Sequence, residues 1–334
     1  MKNGEVEVEP PAKGECDPAP DFHTLVKEYL TWCATEGRRR KTVSKYRSNL
    51  QCFANFAANH SIVHVADLDQ RFFDRFRNHR KPLIDATSMY HEGVAIRLFL
   101  NWCCQRSLIE NNFLADTKFR RPRKEPKGGP NLAEINRILA ASNEQWEDIA
   151  SVLTFTGMRS GDCSRLRPQD LDLKGNWLHI ISDEGRETKS GLSRKVPIHP
   201  RLRPTLERLP RHKRPWLFTA PPSNRYPAGD HHINTKRLNE YLVALLKKLN
   251  IRSGREDGYT THSLRHSFET ICVNAGIPQR VIDTWLGHAS DRSMASVYYR
   301  LSDEDSQRFM LQVPFGTGKP AADAGDNKEN GNDS

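Results

Sequence analysis

Residues 261–290, THSLRHSFETICVNAGIPQRVIDTWLGHAS, decide both the fold and the chemistry that we expect of this chain. Apolar residues recur at helical spacing on either side of a Gly-Ile-Pro break, which predicts two helices, at 263–275 and 278–286. Thr261 precedes the first apolar positions and is the expected N-cap. The stretch therefore predicts a pair of consecutive helices with polar side chains at their ends.

Three side chains in this stretch are suited to holding a phosphate. His262 and Arg265 are three residues apart, so they share one helix face and can address the same phosphate group. His266 lies one residue further on and is expected near them, or turned inward. His288 follows Gly287 directly, at the predicted end of the second helix.

Two further motifs lie upstream. TGMRSGD, residues 156–162, places Arg159 after an apolar helix and before the next one, where a helix N-terminus favours an anion. Asp162 is expected to orient Arg159. WLHII at 177–181 and RKVPI at 194–198 predict two strands, and Lys189 lies in the polar loop between them. A lysine there has a long side chain that can reach over a groove.

These residues, with Tyr298 and Tyr299 downstream, suffice to break a phosphodiester without a metal. Arginines grip phosphate oxygens in bidentate fashion, histidines titrate near neutral pH, lysine donates a proton and a tyrosine hydroxyl can attack phosphorus. We therefore expect no metal and no other cofactor, since the sequence has no acidic cluster at ligand spacing.

Composition points to a polyanionic partner and away from a membrane. The net charge is +10, and because both ends are acidic, residues 21–313 carry +15. There is no apolar run long enough to span a membrane and no secretion signal. The seven cysteines are odd in number and have no CxxC spacing, which favours reduced thiols in the cytoplasm.

We predict a mainly α fold with a small β-sheet in two domains. A helical domain is expected at 21–117, a basic linker at 118–130 and a mixed α/β domain at 131–313, with disordered segments at 1–20 and 314–334. Two basic runs are candidate DNA contacts, and the first precedes Thr42, a plausible helix N-cap. The runs comprise Arg38, Arg39, Arg40 and Lys41, and Arg120, Arg121, Arg123 and Lys124.

The order and spacing of the motifs resemble those of the tyrosine recombinases, the phage integrase family, over about residues 20–313. TGMRSGDCSRLRPQDLDL resembles the first arginine motif of the family, ETKSGLSRKVPIHP its lysine hairpin, and THSLRHSFET and WLGHAS its later motifs. The front half resembles the family's helical core-binding domain, and the second half its catalytic domain.

The resemblance implies a role for each residue. Arg159 and Arg265 would clamp the scissile phosphate, His262 and His288 would hydrogen-bond it and help move protons, and Lys189 would protonate the departing 5′ oxygen. A tyrosine would attack to form a 3′-phosphotyrosine. YYRLSDE, residues 298–304, favours Tyr298 over Tyr299, although the usual family position falls on Val297.

The resemblance also implies double-stranded DNA as substrate and a homo-oligomer on DNA, a tetramer for recombination. The gene would then belong to a mobile element or its host. The segment after Tyr298 would be helical and pack onto a neighbouring subunit. Two alternatives remain open: a catalytically silent DNA-binding regulator, and a type IB topoisomerase with the same nucleophile and clamp.

Overall fold

The computed structural model describes residues 20–123, 128–209, 215–224, 226–254, 258–288 and 301–316. The chain divides into two compact units, Met1–Glu125 and Pro126–Ser334. Helices of the first are α1 Phe22–Thr35, α2 Arg40–Ala58, α3 Gln70–Arg80 and α4 Ala86–Cys104. Helices of the second are α5 Leu132–Ala141, α6 Glu144–Thr156, α7 Ser160–Cys163, α8 Arg203–Arg208, α9 Thr235–Lys248, α10 Thr261–Asn274, α11 Gln279–Leu286 and α12 Asp303–Leu311. The strands are β1 Leu171–Asp172, β2 Trp177–Ile180 and β3 Arg194–Pro197.

The first unit is helical because its apolar positions repeat at helical spacing and its helices have strong start signals. Asp21, Asp69 and Asp85 cap α1, α3 and α4, each accepting a backbone N–H of the first turn. Each cap contributes about 1 kcal/mol. In the core the ring of Phe22 lies 5.6 Å from the rings of both Phe53 and Phe99, measured between centroids.

Helix α3 lies within the predicted helical range, although its sequence QRFFDRFRNHR has four arginines and it buries only three phenylalanines. One feature of the first unit differs from the sequence prediction. Helix α2 begins at Arg40 with Arg39 as its N-cap residue, so Thr42 is not the N-cap; its backbone N–H donates to the Arg39 carbonyl inside the first turn. The basic run therefore forms the start of a helix.

Part of the predicted linker is anchored at each end. Phe119 packs on the core of the first unit, with the guanidinium carbons of Arg77 and Arg97 each 5.4 Å from the centre of its ring. At the other end the carbonyl of Pro130 accepts a hydrogen bond of 2.6 Å from the Ser267 hydroxyl. The sequence pattern did not predict these contacts, since each joins residues far apart in the chain.

The second unit is built around α6 and α10, which pack against each other. Every residue of α6 from Asp148 to Thr156 is buried, and Phe268 on α10 is fully enclosed. Helix α6 ends at Gly157 and α10 begins at Thr261. The two helix ends that bear the predicted arginine motifs are thus fixed by the most buried helices of the unit.

The small sheet forms as predicted and has one additional short strand. Strand β2 pairs antiparallel with β3, with Leu178 opposite Val196, and β1 pairs antiparallel with β2 at the edge. The order in the sheet is β1-β2-β3. Strand β1 is only two residues long, too short for an alternating pattern to reveal it.

The C-terminal segment forms the predicted helix but packs on its own chain. In α12 the Ser306 hydroxyl accepts a hydrogen bond of 2.9 Å from the indole N–H of Trp285, and Met310 is buried. Beyond the helix, Phe315 is fully buried, which stabilises the docked segment by about 1.5–3 kcal/mol. The packing of this segment onto a neighbouring subunit stays a prediction, whereas the buried Phe315 corrects the predicted disorder at 314–316.

Among the helices that the structure describes, none is both long and apolar enough to cross a lipid bilayer. Six cysteines lie in the described ranges, and all have free thiols. The predicted disorder at 1–19 and 317–334 concerns segments outside those ranges.

Candidate active site

Arg159 lies at a sharp turn between α6 and α7. Gly157 ends α6 with φ +61°, and a Cβ at this position would come within 2.5 Å of Phe268 and 2.6 Å of Leu286. Only glycine fits this close, left-handed turn. Arg159 follows in extended conformation as the N-cap residue of α7, as the sequence predicted. Its Nη1 is buried and has no hydrogen-bond partner among the described residues.

Arg265 joins three of the predicted motifs. From α10, its Nη1 donates to the carbonyl of Gly157 at 2.9 Å and its Nη2 to the carbonyl of Leu286 at 2.8 Å. Nη2 also lies 2.9 Å from Nε2 of His288. The side chain is 3% exposed. A single buried guanidinium thus holds the TGMR turn and the LGH turn against the HSLR helix.

His288 is fixed by its backbone and by both ring nitrogens. Gly287 ends α11 in the left-handed conformation, with φ +63°, and the His288 N–H donates to the carbonyl of Asp283. Nδ1 lies 3.1 Å from the Asp283 carboxylate. A guanidinium offers only donors, so Nε2 accepts from Arg265 and Nδ1 donates to Asp283, which defines a neutral tautomer.

His262 is neutral at physiological pH in this setting. Partial burial, followed by the positive electrostatic effects of His266, Arg265, Arg159 and Lys189, lowers the pKa of His262 to about 4. The side chain nevertheless remains exposed to solvent, and its ring lies 4.8 Å from that of His266, edge to face. The helix begins at Thr261 and its N-cap is Thr260, which forms a capping box with Ser263, so the predicted cap was one residue too far along the chain.

Lys189 lies in the β2–β3 loop, as predicted, and its side chain is exposed. The base of this loop is held by Arg186, which is 6% exposed and pairs with both Asp170 and Asp183 at 2.8 Å. The Thr188 hydroxyl donates to the carbonyl of Leu192 across the loop. The loop is therefore fixed at its base, while Lys189 remains accessible and contributes to the potential at His262.

A third arginine belongs to this group, and the sequence reasoning missed it. Arg194 begins β3; its Nη2 donates to Asp162 at 3.0 Å and its Nε to the carbonyl of Trp285 at 3.0 Å. The expectation that Asp162 orients Arg159 is thus wrong, because the hydrogen bond of this buried carboxylate goes to Arg194. The only signal in the sequence was an arginine at the start of a strand pattern.

The three arginines form a positive cluster that is only partly neutralised. Burial, together with the charges of Arg159 and Arg194, lowers the pKa of Arg265 to about 10, although Asp162 and Glu269 act in the opposite direction. Burial also lowers the pKa of Arg194. Such a cluster favours an anion, since one negative charge would relieve the repulsion among the guanidiniums.

One group of possible metal ligands comes together here, which the spacing in the sequence did not reveal. Ligand atoms of Glu269, Asp283 and His288 lie within 4.8 Å of one another. Gln279 donates to both carboxylates, and His288 is engaged by Asp283 and by the Arg265 guanidinium. A guanidinium in contact with one ligand repels a cation, so the group does not fit a metal.

The remaining predicted residues lie elsewhere in the chain. In the described ranges the basic runs are exposed, at Arg38, Arg39, Arg40 and Lys41 and at Arg120, Arg121 and Arg123. Lys124, Tyr298 and Tyr299 lie outside the described residues. The structure thus gathers Arg159, Lys189, His262, Arg265 and His288 in the second unit.

These features define a class of protein, one in which arginines, histidines and a lysine from motifs far apart in sequence are gathered on a mainly helical scaffold with a small sheet. Comparison with known proteins identifies the family. Residues 131–305 match the phage integrase family, which is more than half of the chain. The chain belongs to the phage integrase family, the tyrosine recombinases, as the motifs predicted.

Relatives match along most of the chain. Tyrosine recombinase XerD of Staphylococcus epidermidis (strain ATCC 35984) is 22% identical over 302 residues, which cover 87% of this chain and 98% of that protein. Tyrosine recombinase XerC of Rhodospirillum centenum is 26% identical over 314 residues, covering 87% and 86%. The chain is accordingly a tyrosine-type DNA recombinase enzyme.

Solved structures share the fold. Lambda integrase (75–356), crystallised as a dimer bound to a COC′ core site, matches with a TM-score of 0.65 and 17% identity over 84% of this chain and 99% of that chain. The Tn1549 transposon integrase, in complex with a circular intermediate DNA, matches with a TM-score of 0.62 and 16% identity, over 85% and 97%. The predicted fold class, mainly α with a small sheet, is confirmed.

Proposed function

We propose that this site-specific recombinase cleaves and rejoins double-stranded DNA through a covalent 3′-phosphotyrosine, without metal or ATP. The observation that carries the proposal is the position of Arg265. Its guanidinium bonds the Gly157 carbonyl, the Leu286 carbonyl and His288 at once. Motifs that are far apart in sequence therefore surround one point on the protein.

A phosphodiester at that point would meet guanidiniums first. Arg159, with an Nη1 that lacks a partner among the described residues, supplies free donors, and Arg265 supplies a charge that is already fixed in place. Hydrogen bonds from arginine to phosphate oxygens are charge-assisted and strengthen as negative charge develops in the transition state. Arg159 and Arg265 thus clamp the phosphate.

The chemistry is a transesterification. The Tyr298 hydroxyl oxygen attacks phosphorus, the bond to the 5′ oxygen breaks, and Lys189 gives that oxygen its proton. The phenol proton needs an acceptor, and His262 is a neutral imidazole at physiological pH because its pKa is lowered to about 4. His288 hydrogen-bonds the phosphate. The ester keeps the bond energy, so attack by another 5′ hydroxyl reseals the DNA by the reverse steps.

We assign the helical segment 21–117 as a core-binding domain and residues 131–313 as the catalytic domain. The exposed arginines at 38–40 and at 120, 121 and 123, with Lys41 and Lys124, would contact the DNA backbone. The linker at 118–130 would lie along the duplex.

The lambda integrase structures include a dimer on a core site and a tetramer on a Holliday junction, which supports a homo-oligomer, a tetramer, assembling on DNA. Free thiols support the cytoplasm as its location.

The experiment that tests the proposal uses a nicked suicide DNA substrate containing the recombination site, with EDTA present. Denaturing gels should show a covalent protein–DNA adduct for the wild type and none for Tyr298→Phe. Tyr299→Phe is the matched control and should retain the adduct. An adduct lost only in Tyr299→Phe would reassign the nucleophile.

The same assay separates the alternatives. A silent DNA-binding regulator would bind the substrate and yield no adduct in any variant. A type IB topoisomerase would form the adduct, relax supercoiled plasmid that lacks paired sites and give no strand exchange between two sites. We expect strand exchange that requires two sites, and plasmid relaxation without it would refute the recombinase assignment.

A further inference from the structure

Arg194 makes contacts that reach two different parts of the active site. It begins β3, 32 residues after Asp162, and donates through Nη2 to that carboxylate at 3.0 Å. Through Nε it donates to the carbonyl of Trp285, near the end of α11, also at 3.0 Å. The guanidinium therefore connects the sheet both to α7, which follows Arg159, and to the turn that bears His288.

Stability alone does not explain this arginine. The side chain is 6% exposed, and its Nη1 has no hydrogen-bond partner among the described residues. Burial lowers its pKa despite the Asp162 carboxylate, and the charge of Arg159 acts in the same direction. A buried ion pair of this kind adds little net stability compared with an apolar pair of similar volume.

We propose that Arg194 is a positioning residue for DNA cleavage: it neutralises Asp162, so that Arg159 stays available to the phosphate, and it fixes the turn of Gly287 and His288. This inference rests on the proposed function, in which Arg159 and His288 contact the scissile phosphate. Arg194 itself acts through these residues and not on the DNA.

The first half of the proposal concerns competition for Arg159. Asp162 is buried, and apart from Arg194 its other ion pair is a long one, 4.0 Å from Arg165. A buried carboxylate without a close cation is strongly unfavourable. Without Arg194, Asp162 would draw the guanidinium of Arg159, three residues away at the N-cap of the same short helix. A phosphate would then have to displace a carboxylate.

The second half concerns the Gly287 turn. A Cβ at Gly287 would come within 2.8 Å of Cδ of Arg194, so the backbone lies directly against the arginine stem. The Trp285 carbonyl, accepting from Nε, holds the preceding residues of α11. His288 follows this turn, and a displacement of about 1 Å of a positioned group can reduce a reaction rate about 100-fold.

The test compares four variants: Arg194→Met, Arg194→Lys, Asp162→Asn and the double variant Arg194→Met with Asp162→Asn. Each is measured for DNA affinity, single-turnover cleavage of the suicide substrate and thermal unfolding midpoint. We expect Arg194→Met to cleave about 100-fold more slowly and to bind DNA within about 3-fold of the wild type. Arg194→Lys keeps a positive charge near Asp162 but loses the planar guanidinium that reaches two acceptors at once. Its cleavage rate should therefore lie between those of the wild type and Arg194→Met.

The double variant isolates the neutralising role. Asn at position 162 has no charge to compete for Arg159, so adding Asp162→Asn to Arg194→Met should restore cleavage about 10-fold. A double variant as slow as Arg194→Met would overturn this role. Equal losses of cleavage and DNA affinity, in step with the unfolding midpoint, would show that Arg194 is merely structural and overturn the proposal.

Failure of the proposed function is distinguishable from failure of this inference. The wild type forms the covalent adduct if the proposed function holds, whatever Arg194 does. If the wild type forms the adduct and Arg194→Met cleaves DNA at the wild-type rate, only the inference is overturned. Should Arg194→Met not fold, Arg194→Lys gives the decision, because a cleavage rate in that variant equal to that of the wild type would also overturn the inference.

Discussion

Replacing Arg159 with alanine should separate catalysis from stability more cleanly than any other change in the site. Arg159 donates no hydrogen bond through Nη1 to the described residues, whereas Arg265 holds two backbone carbonyls. Removing a buried donor without a partner relieves a penalty of about 1–3 kcal/mol, which offsets the lost packing of the stem. The free energy of unfolding should thus remain within about 1 kcal/mol of the wild type.

Cleavage should respond very differently. Loss of one donor to a developing oxyanion reduces the rate by about 10² to 10³, and a guanidinium supplies two such donors. We expect Arg159→Ala to reduce single-turnover cleavage at least about 10³-fold, with DNA affinity within about 3-fold because many other phosphates are still bound. The assays are suicide-substrate cleavage, gel-shift titration and urea unfolding.

Two control variants set the scale. Arg203→Ala removes an arginine that pairs with the exposed Glu207 and donates a hydrogen bond to the side chain of Asn176, so cleavage and DNA affinity should be unchanged and the free energy of unfolding should fall by about 1 kcal/mol at most. Arg265→Ala leaves the carbonyls of Gly157 and Leu286 without this donor, so it should lower stability as well as cleavage. If Arg159→Ala loses stability as Arg265→Ala does, and loses DNA affinity as much as cleavage, Arg159 is structural and the clamp is wrong.

Two other predictions follow from the site. Because the pKa of His262 is about 4 in the folded protein and 6.5 in the unfolded chain, the unfolded chain binds more protons in this window, and stability falls as the pH drops through it. The full shift corresponds to about 3 kcal/mol, reduced to about 1 kcal/mol by solvent screening of the exposed ring. Urea unfolding at pH 7 and pH 4 should show a loss about 1 kcal/mol smaller in His262→Asn, and equal losses would contradict the assignment. Gly157→Ala would force a Cβ into a left-handed backbone and against Phe268 and Leu286. It should lower the free energy of unfolding by about 1–3 kcal/mol more than Gly185→Ala, which is also left-handed but whose Cβ would meet nothing within 4 Å. Similar losses for the two variants in urea unfolding would refute the role of the close contacts.

Much of the second unit could be predicted from the sequence because its signals are local. Helices α10 and α11 form within two residues of the predicted ranges, and the β2–β3 hairpin has Lys189 in its loop. Helix α11 ends at Gly287 as expected. Periodicity, glycine and proline report the conformation of neighbouring residues, and these elements depend on little else.

What could not be predicted depends on partners far away in the chain. The Asp162 carboxylate bonds an arginine 32 residues later, and Arg265 bonds a carbonyl 108 residues earlier. The C-terminal segment buries Phe315 in its own unit, although the same apolar pattern would suit a neighbouring subunit equally well. A sequence pattern shows that a helix face is apolar or that a carboxylate is close in sequence. It does not show which residue that face or that carboxylate contacts in the folded protein.

The arrangement of charges explains why the site is ready before DNA arrives. Three backbone carbonyls, those of Gly157, Leu286 and Trp285, hold two guanidiniums in positions that their own repulsion disfavours. Folding therefore maintains a positive potential that the nearby carboxylates only partly cancel, and a phosphodiester is the group that completes the balance. Because the donors are fixed by backbone, they need not reorganise as negative charge grows on the phosphate, and preorganised donors of this kind are the ones that lower a barrier. In the proposed mechanism, Arg159 stays available to the phosphate only while Asp162 remains paired with Arg194.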